Sequence, residues 1–352
     1  MSVFFPARKR ANAVNGLRPR TAFGLAFDNT DVIRTARVIT TRLLHRSNDA
    51  HVYVTPNIQH VSEMRRNPEL RRALQAADLV TCDGFPLVMY AQWRGCDIPG
   101  RVTGREVVEE IMLRTALDSA HVLFFLIESA ETAAAVAQWA ERRGLSHQVI
   151  TEVAPPRFGE NERDAAALAD RIRGAGTTLL FLGLGAPKCE LFATRFRSKL
   201  GPCWALCIGQ SVRVSLGLIQ GPPQKWVDLR LEWAWRIVQE PRRLIGRYVS
   251  SALGFAAAVA EDLRGRTDGD GRTAVRVGRA QHWARMTEQT VAEPAMAQPD
   301  TVVRAIPLAK YGAAASSEDY LIDHEGIEPS QMKDDLGQQA SAAALSRDAS
   351  RP

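Results

Sequence analysis

The chain lacks the marks of several protein classes. Its 352 residues include only five cysteines (Cys82, Cys96, Cys189, Cys203 and Cys207), odd in number and with no CxxC pair. That argues against a disulfide framework and a zinc site, and for a reducing compartment. Cys203 and Cys207 lie in an apolar run and read as small hydrophobes. No stretch approaches the roughly 18 apolar residues that span a bilayer. The longest candidate, 252–260, is too short. The basic N-terminus (Arg8, Lys9, Arg10, Arg18, Arg20) is followed by no apolar core segment, so a secretory signal is not expected. Aromatic residues make up only 7%. The tryptophans gather late, beside arginines, and not on strands where nucleic-acid bases stack, so no nucleic-acid partner is expected. There is no convincing internal repeat.

What is present is a core-forming composition, 45% hydrophobic, with a net charge of +6. The charge favours anionic partners such as phosphates or an anionic membrane surface. Residues 1–20 read as a disordered basic arm. Residues 265–352, rich in Ala, Ser, Gln and charge, read as a disordered tail. Between them, short apolar runs alternate with helical patterns. Strands are expected at 51–55, 79–82, 122–127, 148–153, 177–184 and 204–208. Helices are expected at 31–45, 58–66, 68–77, 86–94, 104–119, 131–143, 161–173 and 187–200, with glycines 95, 144 and 174 as stops. Thr103 and Glu106 have capping-box spacing. This alternation predicts an α/β fold, a doubly wound Rossmann-like parallel sheet over 21–215. Residues 216–264 predict an amphipathic helical appendage, 222–240 and then a helix from Pro241 to about Leu263, suited to a membrane surface.

Four groups of residues carry candidate chemistry. Asp83-Gly84 ends an apolar strand, and Pro86 opens the next helix. In open α/β sheets, ligands bind beyond the carboxyl ends of strands. Asp83 therefore reads either as a helix cap or as a general base. Thr55-Pro56-Asn57 closes the preceding strand, either as a turn with Asn57 as N-cap or as groups that hydrogen-bond a sugar or base. Gly183-Leu184-Gly185-Ala186-Pro187-Lys188 turns a strand into a helix. It is either a tight turn or a phosphate cradle, and it matches neither the dinucleotide fingerprint nor the Walker loop. Trp226, Trp233 and Trp235 with Arg236, Arg242, Arg243 and Arg247 form a helix face. It packs on the domain, meets a headgroup layer or grips a diphosphate.

As an ordered set these pieces resemble the WecG/TagA/CpsF family, glycosyltransferase family 26, over about residues 50–250. The resemblance rests on Thr55-Pro56-Asn57, Asp83-Gly84, Arg101-x-x-Gly104, Gly183-Leu184-Gly185-Ala186-Pro187-Lys188-x-Glu190 and a C-terminal signature. That signature comprises 231–236, 240–243 and Arg247-Tyr248. It implies an inverting transferase that needs no metal or other cofactor. Such an enzyme moves an N-acetylmannosamine-type or other hexose from a UDP-sugar to a polyprenyl-diphosphate-linked sugar. The work is done at the cytoplasmic membrane face, for cell-surface polysaccharide.

The resemblance makes Asp83 the base. It assigns Thr55, Asn57, Arg101, Gly183, Gly185, Lys188, Cys189, Glu190, Arg236, Arg242, Arg243 and Arg247 to substrate binding. Apolar helical faces leave room for a homo-oligomer. The chain departs from the family pattern at three places. Cys189 stands where a Gln is usual. Gly209-Gln210-Ser211-Val212-Arg213 replaces a Gly-Gly-x-Phe-Asp run. Glu128-Ser129 replaces a Gly-Gly turn. These fall in the nucleotide-facing half, and they motivate an alternative. In it, the chain is a non-catalytic relative that binds a nucleotide-sugar or a partner and regulates polysaccharide assembly.

Overall fold

The computed structural model describes residues 20–41, 48–115, 120–221, 223, 225–226, 232–239 and 241–265. The expected basic arm up to residue 19, the tail from 266 and most of 222–231 lie outside the described residues. All six expected strands form: β1 (His51–Val54), β2 (Leu79–Val80), β3 (Leu123–Ile127), β4 (Val149–Val153), β5 (Leu179–Leu182) and β6 (Trp204–Cys207). They pair only in parallel, in the order β2-β1-β6-β5-β3-β4. The fold is therefore the doubly wound, Rossmann-like α/β sheet that the alternation predicts. The helices are α1 (Val32–Thr40), α2 (Ile58–Met64), α3 (Pro68–Ala76), α4 (Phe85–Trp93), α5 (Gly104–Thr115) and α6 (Ala130–Arg142). They continue with α7 (Glu162–Gly174), α8 (Lys188–Arg195), α9 (Arg197–Leu200), α10 (Ser211–Ser215), α11 (Glu232–Gln239) and α12 (Pro241–Leu263).

Central strands are apolar throughout because both sheet faces are covered. Alternate residues feed two cores. Val52, Val54, Phe124, Leu126, Leu180 and Leu182 face α2, α3, α7 and α8. Tyr53, Phe125, Phe181 and Leu206 face α1, α5, α6 and α10. In the second core, Phe125 and Phe181 stack at 4.3 Å, with Trp139 edge-on to Phe125 at 6.3 Å. β4 is an edge strand. Its Ile150 and Val153 stay exposed, as expected where one edge lacks a neighbour.

Several boundaries differ from expectation for local reasons. α1 ends at Thr40 because Thr41 is extended. Gly174 does not stop α7. It is the last helical residue, and the chain turns at Gly176, whose N–H donates to Arg173 O. The 187–200 helix breaks at Phe196 into α8 and α9.

The largest difference concerns the C-terminal segment. Only the first half of α12 is the expected exposed amphipathic surface. One face of its second half, with Gly254, Ala258 and Asp262, is buried. A Cβ at Gly254 would collide with the Ser62 side chain of α2, 2.7 Å from its Cβ. Arg65 grips Glu261 through two hydrogen bonds of 2.7 and 3.0 Å. The buried Asp262 carboxylate accepts from Phe23 N–H at 2.9 Å and Tyr90 OH at 2.7 Å, and pairs with Arg94 at 3.0 Å. Phe23 stacks on Tyr90 at 4.7 Å and leans on Phe255 at 5.5 Å. α12 thus locks the start of the described chain onto α4. Among the described residues no helix is long and apolar enough to cross a membrane.

Candidate active site

The sheet register brings the strand ends level. Val54 lies opposite Val80 and Cys207, and Leu182 opposite Cys207 and Leu126. Thr55, Thr81 to Asp83, Gly183 and Ile208 therefore leave the sheet at one edge. The N–H of Asp83 donates to Pro56 O at 3.0 Å, which ties the loop after β2 to the loop after β1. The N-cap of α4 is Gly84, at φ +86, with no side-chain cap. A left-handed φ there favours glycine. Asp83, one residue before that N-cap, is half-buried, and its charge acts on Tyr53, His60 and Cys82.

The first turn of α5 leans over the same edge. Thr103 and Glu106 form the expected capping box: Glu106 N–H donates to Thr103 Oγ1 at 3.1 Å, and Thr103 N–H to Glu106 Oε2 at 3.2 Å. Arg101 pairs with Glu106 at 3.5 Å. At Gly104 a Cβ would lie 3.0 Å from both Thr55 Cγ2 and Ser211 Oγ. The glycine of Arg101-x-x-Gly104 is therefore needed for close packing against the ends of β1 and β6. Thr55 Oγ1 donates to Val102 O at 3.4 Å, and Tyr53 OH shares a 2.8 Å hydrogen bond with Thr81. Burial raises the Tyr53 phenol well above its usual value.

Asn57 is the N-cap of α2. Its Oδ1 accepts from Gln59 N–H at 3.0 Å and His60 N–H at 3.3 Å. His60 bridges outward, with Nδ1 3.0 Å from Asn57 Oδ1 and Nε2 3.3 Å from Glu190 Oε1. Burial alone lowers the His60 imidazole. The hydrogen bond and charge of Glu190, with the charges of Asp83 and Glu63, outweigh it and raise the net value above 6.5. Burial raises Glu63, with His60 opposing.

Along the glycine loop, Gly183 packs tightly on β3, where a Cβ would lie 3.1 Å from Ile127 Cγ2. Gly185 faces open space. Helical phase then separates the motif. Lys188 is exposed, whereas Cys189 and Glu190 point inward. The Cys189 Sγ donates to Leu182 O at 3.2 Å, and burial raises its thiol well above the ordinary value. Cys189 therefore sits in the core, not on the cleft surface.

Arg242 and Arg247 are exposed on the first turns of α12, and Arg236 sits on α11. The side chains of Arg236 and Arg243 lie outside the described residues. Trp226 and Trp235 pack at 5.7 Å. The contacts Ser62 with Gly254 and Arg65 with Glu261 run in the same sense. α12 thus runs parallel to α2, and its arginine-bearing start points toward the edge that carries Asn57 and Asp83.

Two of the departures from the family pattern meet each other. Arg213 on α10 pairs with Glu128 at 3.2 Å and Glu131 at 3.0 Å, reaching across the end of β5 to the start of α6. Glu128 also accepts from Thr132 Oγ1 at 3.0 Å, and Ser129 caps α6.

Sequence reasoning overlooked His60, Tyr53, Glu63 and Ser211. The Asn57-x-x-His60 spacing at a helix start is the one signal that could have found His60. Among the described residues, no group of three or more His, Cys, Asp or Glu is placed to hold a metal ion.

The chain is 24% identical over 242 residues to an N-acetylglucosaminyldiphosphoundecaprenol N-acetyl-beta-D-mannosaminyltransferase from Bacillus spizizenii strain W23. The match covers 67% of this chain and 91% of the relative. The model of the glycosyl transferase WecG/TagA/CpsF family matches residues 20–269, which contain the whole strand edge, the glycine loop and α12. The chain belongs to the WecG/TagA/CpsF family of glycosyltransferases.

Proposed function

We propose that this glycosyltransferase moves a sugar of the N-acetylmannosamine type, or another hexose, from a UDP-sugar to a polyprenyl-diphosphate-linked acceptor. The acceptor class follows the name of the Bacillus relative. The product is a step toward cell-surface polysaccharide. The carrying observation is Asp83: a half-buried carboxylate at a strand end, its loop tied through Pro56 to the Thr55–Asn57 loop. In this reading Asp83 takes the proton of the acceptor hydroxyl as its oxygen attacks the anomeric carbon from the face opposite UDP. The C–O bond to UDP breaks with inversion, and its electron pair leaves on the diphosphate. Lys188, Arg242 and Arg247 supply positive charge for that leaving group, and the exposed Gly185 lets backbone approach it.

The protein works at the inner membrane surface in this reading. α12 presents Ile245, Val249 and Leu253, each at least half exposed and four residues apart, beside Arg242 and Arg247. An apolar stripe flanked by arginine suits an anionic headgroup layer.

The test is transfer from a panel of UDP-sugars to a short-chain polyprenyl-diphosphate-sugar, with wild type and Asp83→Asn. Turnover by wild type and a loss of about 10²-fold or more in the variant is expected. Wild-type turnover by folded Asp83→Asn would remove Asp83 from the base role.

The Arg213 pair with Glu128 and Glu131 favours a second reading. Two carboxylates at the start of α6 occupy a place where an anion could otherwise bind. A chain so altered could bind a nucleotide-sugar and regulate assembly without turnover. Calorimetric UDP-sugar binding with no transfer to any acceptor would support it.

A further inference from the structure

His60 occupies a junction that the proposed chemistry does not use. Its ring lies between the N-cap of α2 and the third residue of α8. Each nitrogen faces an oxygen: Nδ1 faces Asn57 Oδ1 at 3.0 Å, and Nε2 faces Glu190 Oε1 at 3.3 Å. Asn57 Oδ1 is fixed as an acceptor because it already receives two backbone N–H groups. Glu190 is 3% exposed, and its Oε2 has no hydrogen-bond partner among the described residues. Its buried carboxylate therefore depends on the His60 ring. The proton on Nδ1 has two outcomes. When present, Nδ1 donates to Asn57 Oδ1. When absent, Nδ1 accepts from the Asn57 N–H, 3.3 Å away.

We propose that protonated His60 is a positioning residue, a strut that clamps the Thr55–Asn57 loop to the start of α8. In that state the strand-edge cleft has its working shape. On one side the strut holds Asn57 and, through the Pro56 carbonyl, the Asp83 loop. On the other it holds the turn that presents Lys188. His60 touches no substrate in this account.

Charges from every packed element bear on the ring. Glu63 lies on its own helix, Glu190 on α8 and Asp83 on the β2–α4 loop. Glu261 of α12, paired with Arg65, and Arg71 of α3 lie farther along the same layer. The three near carboxylates all favour the imidazolium, against burial. A histidine raised in this way contributes fully below its unfolded value and loses the contribution as pH rises through its folded value. The strut is therefore lost on the alkaline side.

The consequence for transfer rests on the functional reading above, whereas the strut itself is measured without turnover. The first measurement is an NMR titration of the His60 ring in the full chain, assigned with His60→Gln, for wild type and Glu190→Gln. His60 should titrate above the ordinary histidine range in wild type and fall by about one pH unit or more in Glu190→Gln. An ordinary or lower value in wild type, or no change in Glu190→Gln, overturns the strut. The second measurement is the pH profile of transfer from UDP-sugar. His60→Gln, which keeps a polar side chain without the charge, should lower kcat by about tenfold or more with little change in KM. It should also remove an alkaline limb present in wild type. Unchanged kcat with the same limb overturns the role. If no UDP-sugar is turned over at any pH, the functional reading fails, and the titration alone decides the strut.

Discussion

The Asp83 N–H donates to the Pro56 carbonyl at 3.0 Å. This hydrogen bond lies beyond the last β1–β2 register pair, Val54 with Val80. It extends the ladder into two loops that would otherwise diverge. Gly84 follows at φ +86, and a Cβ there would sit 3.8 Å from the Asn57 Cβ. The pairing thus sets the base candidate beside the Thr55–Asn57 loop before any ligand arrives. Such preorganisation matters in catalysis because misplacement of about 1 Å can cost about 10²-fold.

Gly104 tests how closely the cleft walls must pack. Ala at 104 brings a Cβ within 3.0 Å of Thr55 Cγ2 and Ser211 Oγ, so one wall must move. Gly104→Ala should cost roughly 1–3 kcal/mol in denaturant unfolding, the range for overpacking. Thr55 should be displaced, with transfer falling more than stability does. Adding Ser211→Ala removes one of the two clashes and should recover part of the loss. Equal stability of Gly104→Ala and wild type would show that the wall is soft.

Much of this fold was legible in the chain because a parallel sheet covered on both faces needs continuous apolar runs. Phe124 to Ile127 and Leu179 to Leu182 could hardly be anything else. Asp83 was legible as a candidate because a carboxylate and a glycine at a strand end are local. Its choice between cap and base was not, since that choice turns on the neighbours that folding brings to the carboxylate. His60 was invisible for a different reason. Its meaning depends on Glu190, 130 residues away. Cys189 misled because helical phase, not motif position, decides which residues of a loop–helix turn face outward. Asp262 reads in sequence as an ordinary charged residue near a helix end. Only the packing shows it buried among Phe23, Tyr90 and Arg94.

Asp262 should be among the residues most costly to remove. It is 1% exposed, and its partners Phe23 N–H, Tyr90 OH and Arg94 would lose their shared acceptor. Removing one partner of a buried charged group typically costs about 3–5 kcal/mol. Asp262→Ala should therefore lower Tm strongly, with α12 released first. Hydrogen exchange in α12 reads this directly. Retained protection along Gly254 to Leu263 would show that the aromatic packing of Phe255 suffices.

The anchored second half of α12 changes how membrane attachment must be tested. Cutting the chain before α11 would also remove Asp262 and Gly254, so lost binding would reflect lost structure. Substituting the exposed stripe avoids this. Ile245→Ser, Val249→Ser and Leu253→Ser together remove apolar surface that is 50%, 54% and 68% exposed in the free protein. At about 25 cal/mol per Å² of apolar area buried in a headgroup layer, the triple variant should weaken vesicle binding by at least tenfold. Sedimentation with anionic liposomes measures it, and an unchanged Tm serves as the control. Equal sedimentation of variant and wild type would refute the attachment surface.

The Arg213 bridge asks whether two departures from the family pattern form a single unit. Arg213 has a side chain 22% exposed, and Glu128 is 30% exposed at 3.2 Å. Both are shielded enough to exceed a typical surface pair, yet solvated enough that the coupling stays modest. A double-mutant cycle of Arg213→Ala and Glu128→Ala should give a coupling of about 0.5–1.5 kcal/mol in unfolding experiments, shrinking with added salt. Arg213→Ala alone leaves Glu128 and Glu131 uncompensated at the start of α6. Their negative charge then faces any diphosphate approaching the end of β5, so UDP affinity should fall in this single variant. The double variant, which removes one carboxylate together with the arginine, should recover part of that affinity. Additive effects on stability and no recovery of binding would mean that the two positions changed independently.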